Sequence, residues 1–216
     1  MLPHRITPEE YLAMEREAEI KSEYVDGEIF AMAGASRKHN QISANIVRIL
    51  GNQLLERPCS VYVSDMKVKA EKAENYFYPD IVISCEEEEF EDDEEDILLN
   101  PIVIIEILSD STEAYDRGKK FANYQRIDSF VEYILISHNF CRVEKFMRRD
   151  DKTWIYSAFR NMDEVVQIDS AMCELPIAEI YKKMLTFISA SVSVDVGPVF
   201  ERNSNHESRI YFHSEF

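Results

Sequence analysis

A chain of 216 residues with 45% hydrophobic side chains can build one domain without disulfide staples, and it has no apolar run near the roughly 18 residues a membrane helix needs. Its formal net charge of −17 excludes a simple nucleic-acid coat protein. Ten of the eleven residues from Glu86 to Asp96 are acidic, however, and without that run the charge is about −7. Repulsion of phosphate is therefore concentrated in one segment and screened over about 8 Å at physiological salt, which leaves room for a local basic groove. The N-terminal stretch MLPHRITPEEYLAMEREAE lacks the apolar core of a secretion signal, so a cytoplasmic location is expected. Cys59, Cys85, Cys141 and Cys173 form no C-x-x-C pair. Zinc is disfavoured on that count, and reduced core thiols are expected.

In chain order, Thr7-Pro8-Glu9-Glu10 reads as a helix start with a capping threonine, a first-turn proline and a glutamate three residues after the cap. The helix is expected to run to about Ile20. SEYVDGEIFAM predicts two short strands around Asp26-Gly27, a dipeptide suited to a two-residue hairpin turn. Ser36 to Leu55 predicts a helix with Ile42, Ile46, Ile49 and Leu50 on one face. Cys59 to Ala70 alternates as a strand, and Tyr78 to Ser84 reads as another. Pro101 to Ser109, PIVIIEILS, has the continuous apolar, β-branched character of a strand buried on both faces. A helix from about Asp116 to Ile127 and a buried strand over Phe130 to Ser137 follow. CRVEKFMRR, WIYSAF and EVVQI add outer strands, and Pro176 to Phe187 closes with a short helix. The expected fold class is α/β or α+β, formed by residues 1–188. Residues 189–216 read as an appended, partly disordered tail.

Two acids stand inside apolar strands. Asp80 follows Pro79 at the opening of one, and Glu106 lies 26 residues on in another. If the strands are neighbours, the two carboxylates converge. They would then repel, and one would bind a proton unless a cation joined them. Mg²⁺ suits such a pair, because it takes one or two carboxylates with waters and phosphate oxygens. The backbone carbonyl of Ile107 could add a ligand. DRGKKFANYQ supplies Asp116 and the cations Arg117, Lys119 and Lys120; Arg117 could meet a phosphate by a bidentate bond, and a lysine could orient an attacking water or offset charge on the phosphate.

YPDIVISC, IVIIEILSDST, DRGKKFANYQ and FVEYILIS, with SEYVDGEIFAM and the His39 helix, resemble the Uma2 family of restriction-endonuclease-like proteins, also called domain of unknown function 820. The resemblance covers roughly residues 5 to 188. It implies a PD-(D/E)XK nuclease fold, with a mixed central sheet flanked by helices, and Mg²⁺- or Mn²⁺-dependent hydrolysis of phosphodiester bonds. Pro79-Asp80 matches the PD motif and Glu106 the (D/E) position. The lysine expected two residues later is Leu108, on the same side of the strand as Glu106. In this family a lysine of the following helix tends to take that role, and Lys120 matches it. Glu23 matches an early acidic position that serves as an additional metal ligand in some nucleases of the superfamily. His39 matches a family position as well.

The plainer readings compete with these. Asp80 alone suits a strand-edge acid capped by backbone N–H groups. Glu106 is costly to bury without a partner. Lys119 and Lys120 each suit a solvated helix face, and His39 a cap or core hydrogen bond. Tyr124, Tyr133 and Phe130 read as core. The acidic run reads as an extended, mobile surface loop that repels nucleic acid or mimics it for a basic partner. The sequence thus predicts a metal-dependent endonuclease acting on nucleic acid, DNA in preference to RNA; the resemblance also implies a homodimer, for which the sequence itself shows no seam. The alternative is a nuclease fold kept as a binding module, which the net charge and Leu108 favour.

Overall fold

In the computed structural model, residues 5–70, 74–150 and 153–184 are described. The expected tail over residues 189–216, the last residues of the closing helix, and His4, His206 and His213 lie outside the described residues.

Helix α1 (Pro8–Glu15) opens with the expected capping box: the Thr7 hydroxyl accepts from Glu10 N–H, and the Glu10 carboxylate accepts from Thr7 N–H. It stops well short of Ile20. The Glu15 carboxylate turns inward to accept from the backbone and hydroxyl of Ser22, while Met14 and Ile20 are exposed and offer no face to continue on. The hairpin of β1 (Ser22–Val25) and β2 (Glu28–Ala31) turns at Asp26 and Gly27, both at positive φ. A side chain at Gly27 would also press on Arg5, whose Cβ lies 3.0 Å from the position a Cβ would take. Helix α2 (Arg37–Leu54) is capped by Ser36 and buries Ile42, Ile46, Ile49 and Leu50 as expected.

The single strand predicted over Cys59 to Ala70 is corrected to two, β3 (Cys59–Val63) and β4 (Lys67–Ala70), which belong to different sheets. Ser64 N–H still bonds the Asp80 carbonyl in the β3–β6 register, and the chain then turns, with Met66 N–H donating to the Val63 carbonyl, before β4 begins. Strands β5 (Asn75–Phe77), β6 (Ile81–Cys85), β7 (Ile97–Leu98), β8 (Val103–Leu108), β9 (Glu132–Ser137), β10 (Val143–Arg148), β11 (Trp154–Phe159), β12 (Val165–Ile168) and β13 (Cys173–Pro176) follow. The main sheet has six strands in the order β11-β10-β9-β8-β6-β3, antiparallel except for the parallel β8–β9 pair. A second sheet, β2-β1-β5-β4-β7, and the β12–β13 ribbon complete the fold.

The helix predicted from Asp116 is observed as three joined turns: α3 (Glu113–Tyr115), a π-helical turn (Asp116–Lys120) and α4 (Phe121–Tyr124). A final short helix, α5, spans Ile177–Ile180. Successive residues of β8 serve opposite cores. Val103, Ile105 and Ile107 pack with α2, α5 and the β12–β13 ribbon. Ile104 and Leu108 pack with Phe77 and with Tyr124, Phe130 and Tyr133, the three aromatics expected in the core.

Two further expectations are corrected. The register of β3 and β6 sets Cys59 opposite Cys85, and the two form a disulfide; Cys141 and Cys173 are free thiols. The acidic run is not uniformly solvated. Asp92 and Asp96 pair with Arg16, Asp96 also with Lys67, and Glu91 with Lys69. Among the described residues, no helix is long and apolar enough to cross a membrane.

Candidate active site

Pro79 has no N–H to give the β6–β8 ladder. Pairing therefore begins at Ile81↔Ile105, and the next residue outward on each strand is an acid, Asp80 or Glu106. Beyond that point the Asp80 side chain and backbone cap the end of the ladder. Its Oδ2 accepts from Ile107 N–H at 2.7 Å, and its backbone N–H donates to Glu106 Oε2 at 3.3 Å. The two carboxylates thus meet at one strand end, as the sequence predicts for neighbouring strands. In an extended strand the carbonyl of Ile107 turns to the same side as its N–H.

Lys120 reaches this pair from the π-helical turn. Its ammonium lies 2.9 Å from Glu106 Oε1, 3.0 Å from Glu23 Oε1 and 3.9 Å from Asp116 Oδ1, and it donates to the Tyr78 carbonyl at 3.4 Å. It is only 5% exposed, far from the solvated face that a lone helix lysine suggests. Tyr124 donates to Glu106 Oε1 at 3.1 Å, and Tyr78 N–H donates to Glu23 Oε1 at 3.1 Å. From the opposite layer, His39 on α2 sets Nε2 3.0 Å from Asp80 Oδ2. Asp80, Glu106, Glu23, Lys120, Ile107 and His39 therefore converge. Arg117 and Lys119 do not join them: Arg117 is held by Glu113 and Glu144, and Lys119 lies beside Asp26 and over the Phe30 ring.

Protonation follows from this crowding. Burial opposes the Lys120 charge, yet Glu106, Glu23 and Asp116 outweigh it and hold the lysine well above its ordinary value, so it stays an ammonium. Burial pushes Glu106 well up; Lys120 works against that shift, and Asp116 and Asp80 add to it. Burial also raises Asp116 despite Lys120.

A divalent cation fits this donor set as a two-carboxylate site. Asp80 Oδ1 takes no hydrogen bond among the described residues, and its neighbour Glu106 is a second hard oxygen donor. No group of three His, Cys, Asp or Glu side chains stands ready to hold a metal among the described residues, so the remaining ligands would be waters and substrate oxygens, the arrangement Mg²⁺ commonly accepts.

Two contacts were not drawn from the sequence. Asp116 joins the buried cluster because the π-helical turn directs it inward with Lys120. His39 meets Asp80, and one sequence signal does point there: His39 lies three and seven residues before the buried Ile42 and Ile46, on the same face of α2.

A six-stranded mixed sheet with two acids at one strand end and a helix-borne lysine between the layers describes the restriction-endonuclease-like fold. The same fold is seen in the crystal structure described as "a putative nuclease belonging to DUF820" from Anabaena variabilis, with a TM-score of 0.69, 20% identity, and 82% of this chain and 97% of that one covered. The family described as "Uma2: Putative restriction endonuclease" matches residues 8–178, and the chain belongs to that family. Two relatives come from Synechocystis. The uncharacterized protein sll1609 is 35% identical over 170 residues, 79% of this chain and 95% of the relative. The uncharacterized protein slr1290 is 32% identical over 161 residues, 74% and 84%.

Proposed function

We propose that the chain is a Mg²⁺- or Mn²⁺-dependent endonuclease that hydrolyses phosphodiester bonds, with DNA as its first substrate. The observation that carries this reading is the ammonium of Lys120, 2.9 Å from Glu106 on the face of β8 where Leu108 supplies no cation. Asp80 and Glu106 are assigned as the cation's ligands, with the Ile107 carbonyl beside them. Once bound, the cation supplies Lewis acidity and lowers the pKa of a coordinated water.

The chain's own groups divide the remaining work. Lys120 is held protonated, so it cannot be the base. It can donate to the attacking water and offset charge that develops on the phosphate. Glu23, considered from the sequence as an added ligand, also orients Lys120, since its Oε1 accepts from both Lys120 and Tyr78 N–H. The aromatic wall of Tyr124 and Phe77 excludes water behind the pair and strengthens each electrostatic contact. Cutting both strands of a duplex would call for two sites, which a homodimer supplies.

A second reading is favoured by the ion pairing itself. With Lys120 seated between Glu23 and Glu106 and a net charge of −17, the fold could serve as a binding module without hydrolysis. The test is cleavage of supercoiled plasmid, linear duplex, single-stranded DNA and RNA with Mg²⁺, Mn²⁺ or EDTA. Asp80→Ala and Lys120→Met proteins run beside the wild type. Metal-dependent cutting that falls at least about 100-fold in both variants supports the nuclease. Absence of cutting by folded wild-type protein on all four substrates moves the assignment to the binding module.

A further inference from the structure

We propose that His39 is the positioning residue of Asp80: it fixes one carboxylate oxygen so that the other is presented to the divalent cation. This rests on the reading of Asp80 as a cation ligand.

Asp80 Oδ2 receives two contacts, Ile107 N–H at 2.7 Å and His39 Nε2 at 3.0 Å. Both engage the same oxygen, and Oδ1 has no partner among the described residues. A backbone N–H alone would leave the carboxylate free to rotate about its Cβ–Cγ bond. A second donor from another direction defines the carboxylate plane and with it the direction of Oδ1. A carboxylate can only accept, so in this contact the donor is the Nε2–H of the imidazole. His39 Nδ1 is buried and has no hydrogen-bond partner in the structure. The Asp80 contact is therefore the ring's polar anchor among the described residues.

The base of the side chain is rigid. Ser36 caps the first turn through His39 N–H, and Ile42 and Ile46 are fully buried one and two turns on. Asn45 ties α2 to the carbonyls of Ile180 and Lys182. A histidine mounted this way holds Asp80 from the α2 layer, while Lys120 holds Glu106 from the other. The two side chains thus have different holders, although Asp80 N–H also donates to Glu106 Oε2, and loss of His39 should affect cation binding through Asp80 before it affects Lys120. Partners that orient ligating groups in this manner are typically worth 10- to 100-fold in metal affinity.

The experiment measures Mn²⁺ affinity of the full chain without substrate, by electron paramagnetic resonance titration, beside the Mn²⁺ concentration giving half-maximal cleavage. Wild type, Asp80→Ala, His39→Leu, His39→Asn and His39→Gln are compared, with thermal midpoints for each. Glutamine can set its amide nitrogen near the place of Nε2, whereas asparagine is too short. The expected result is about 10-fold weaker Mn²⁺ binding in His39→Leu and His39→Asn. His39→Gln should stay within about threefold of wild type, and the thermal midpoints should not follow this order. Wild-type affinity in folded His39→Leu or His39→Asn, with Asp80→Ala impaired, overturns the positioning role and leaves the nuclease reading intact. Equal weakening in His39→Gln also overturns it, since a donor to Asp80 would then not be what matters. Failure of wild type to bind Mn²⁺, or undiminished binding by Asp80→Ala, overturns the ligand assignment and this inference with it.

Discussion

Arg117 shows how a residue's chemistry depends on which partner reaches it first. Its sequence neighbours suggest a phosphate contact, but its guanidinium is committed to Glu144, which also accepts from Arg142 and Tyr156. Burial alone would raise the Glu144 carboxyl; the hydrogen bonds from Arg117, Tyr156 and Arg142 prevail and hold it below the ordinary carboxylate range. The sign of the linkage follows. A depressed folded-state pKa contributes stability above the unfolded pKa, and that stability is lost as pH falls through the folded value. Glu144→Gln should therefore cost about 1–3 kcal/mol at pH 7, and the difference from wild type should shrink as pH drops below the ordinary carboxylate range. Urea midpoints at pH 7 and under acid conditions measure both numbers; a gap of constant size across that range would reject the account. At this scale the candidate site was largely legible. Asp80, Glu106 and Lys120 stand out because an acid in an apolar strand needs a partner, and the family order supplied the lysine. The commitment of Arg117 to Glu144 was not legible, since it joins residues 27 apart through the β9–β10 pairing.

Elements were legible where local pattern alone decides them. The apolar runs of β8 and β9, the Asp26-Gly27 hairpin and the buried stripe of α2 each follow from periodicity or turn chemistry. What escaped was the turn at Ser64 to Met66 that separates β3 from β4, together with features decided by distant contacts: the β12–β13 ribbon and the disulfide set by the β3–β6 register. The π-helical turn is the most consequential of these, because it brings Asp116 and Lys120 inward together. Such turns depart from the regular helical bonding pattern and gather at functional sites. Here the Asp116 carbonyl accepts from the fully buried Tyr133 hydroxyl at 3.0 Å. Tyr133→Phe preserves the ring and its stacking on Phe121 while leaving that carbonyl with one bond fewer. The expected cost is about 1–3 kcal/mol, together with a fall in cleavage larger than the shift in substrate affinity, because Lys120 is carried by the loosened turn. Chemical denaturation and the split between kcat and KM test it. A stability loss with unchanged kcat would confine Tyr133 to a structural role.

For the whole molecule the open question is how a chain of charge −17 approaches a polyanion. The acidic run divides into two sets. Glu91, Asp92 and Asp96 are spent on Lys69, Arg16 and Lys67, and they fasten the segment to α1 and β4. Glu88 accepts from the Tyr62 hydroxyl, and Glu86, Glu87, Glu89, Asp93, Glu94 and Glu95 are exposed and contribute six negative charges to the surface. Changing those six to Gln or Asn should leave the thermal midpoint unchanged, since exposed charges away from partners contribute little. It should also raise DNA affinity several-fold at low salt. That gain should vanish toward 1 M salt, where the screening length shrinks from about 10 Å at 0.1 M to about 3 Å. Changing Glu91, Asp92 and Asp96 instead should destabilise the fold, because Lys67 is buried and would lose Asp96, its carboxylate partner among the described residues. Fluorescence anisotropy with a labelled duplex across a salt series, run on both variants, separates the two roles. If the first variant binds DNA no better than wild type at low salt, the exposed acids do not guard the site against nucleic acid, and their charge must be directed at a cationic partner instead.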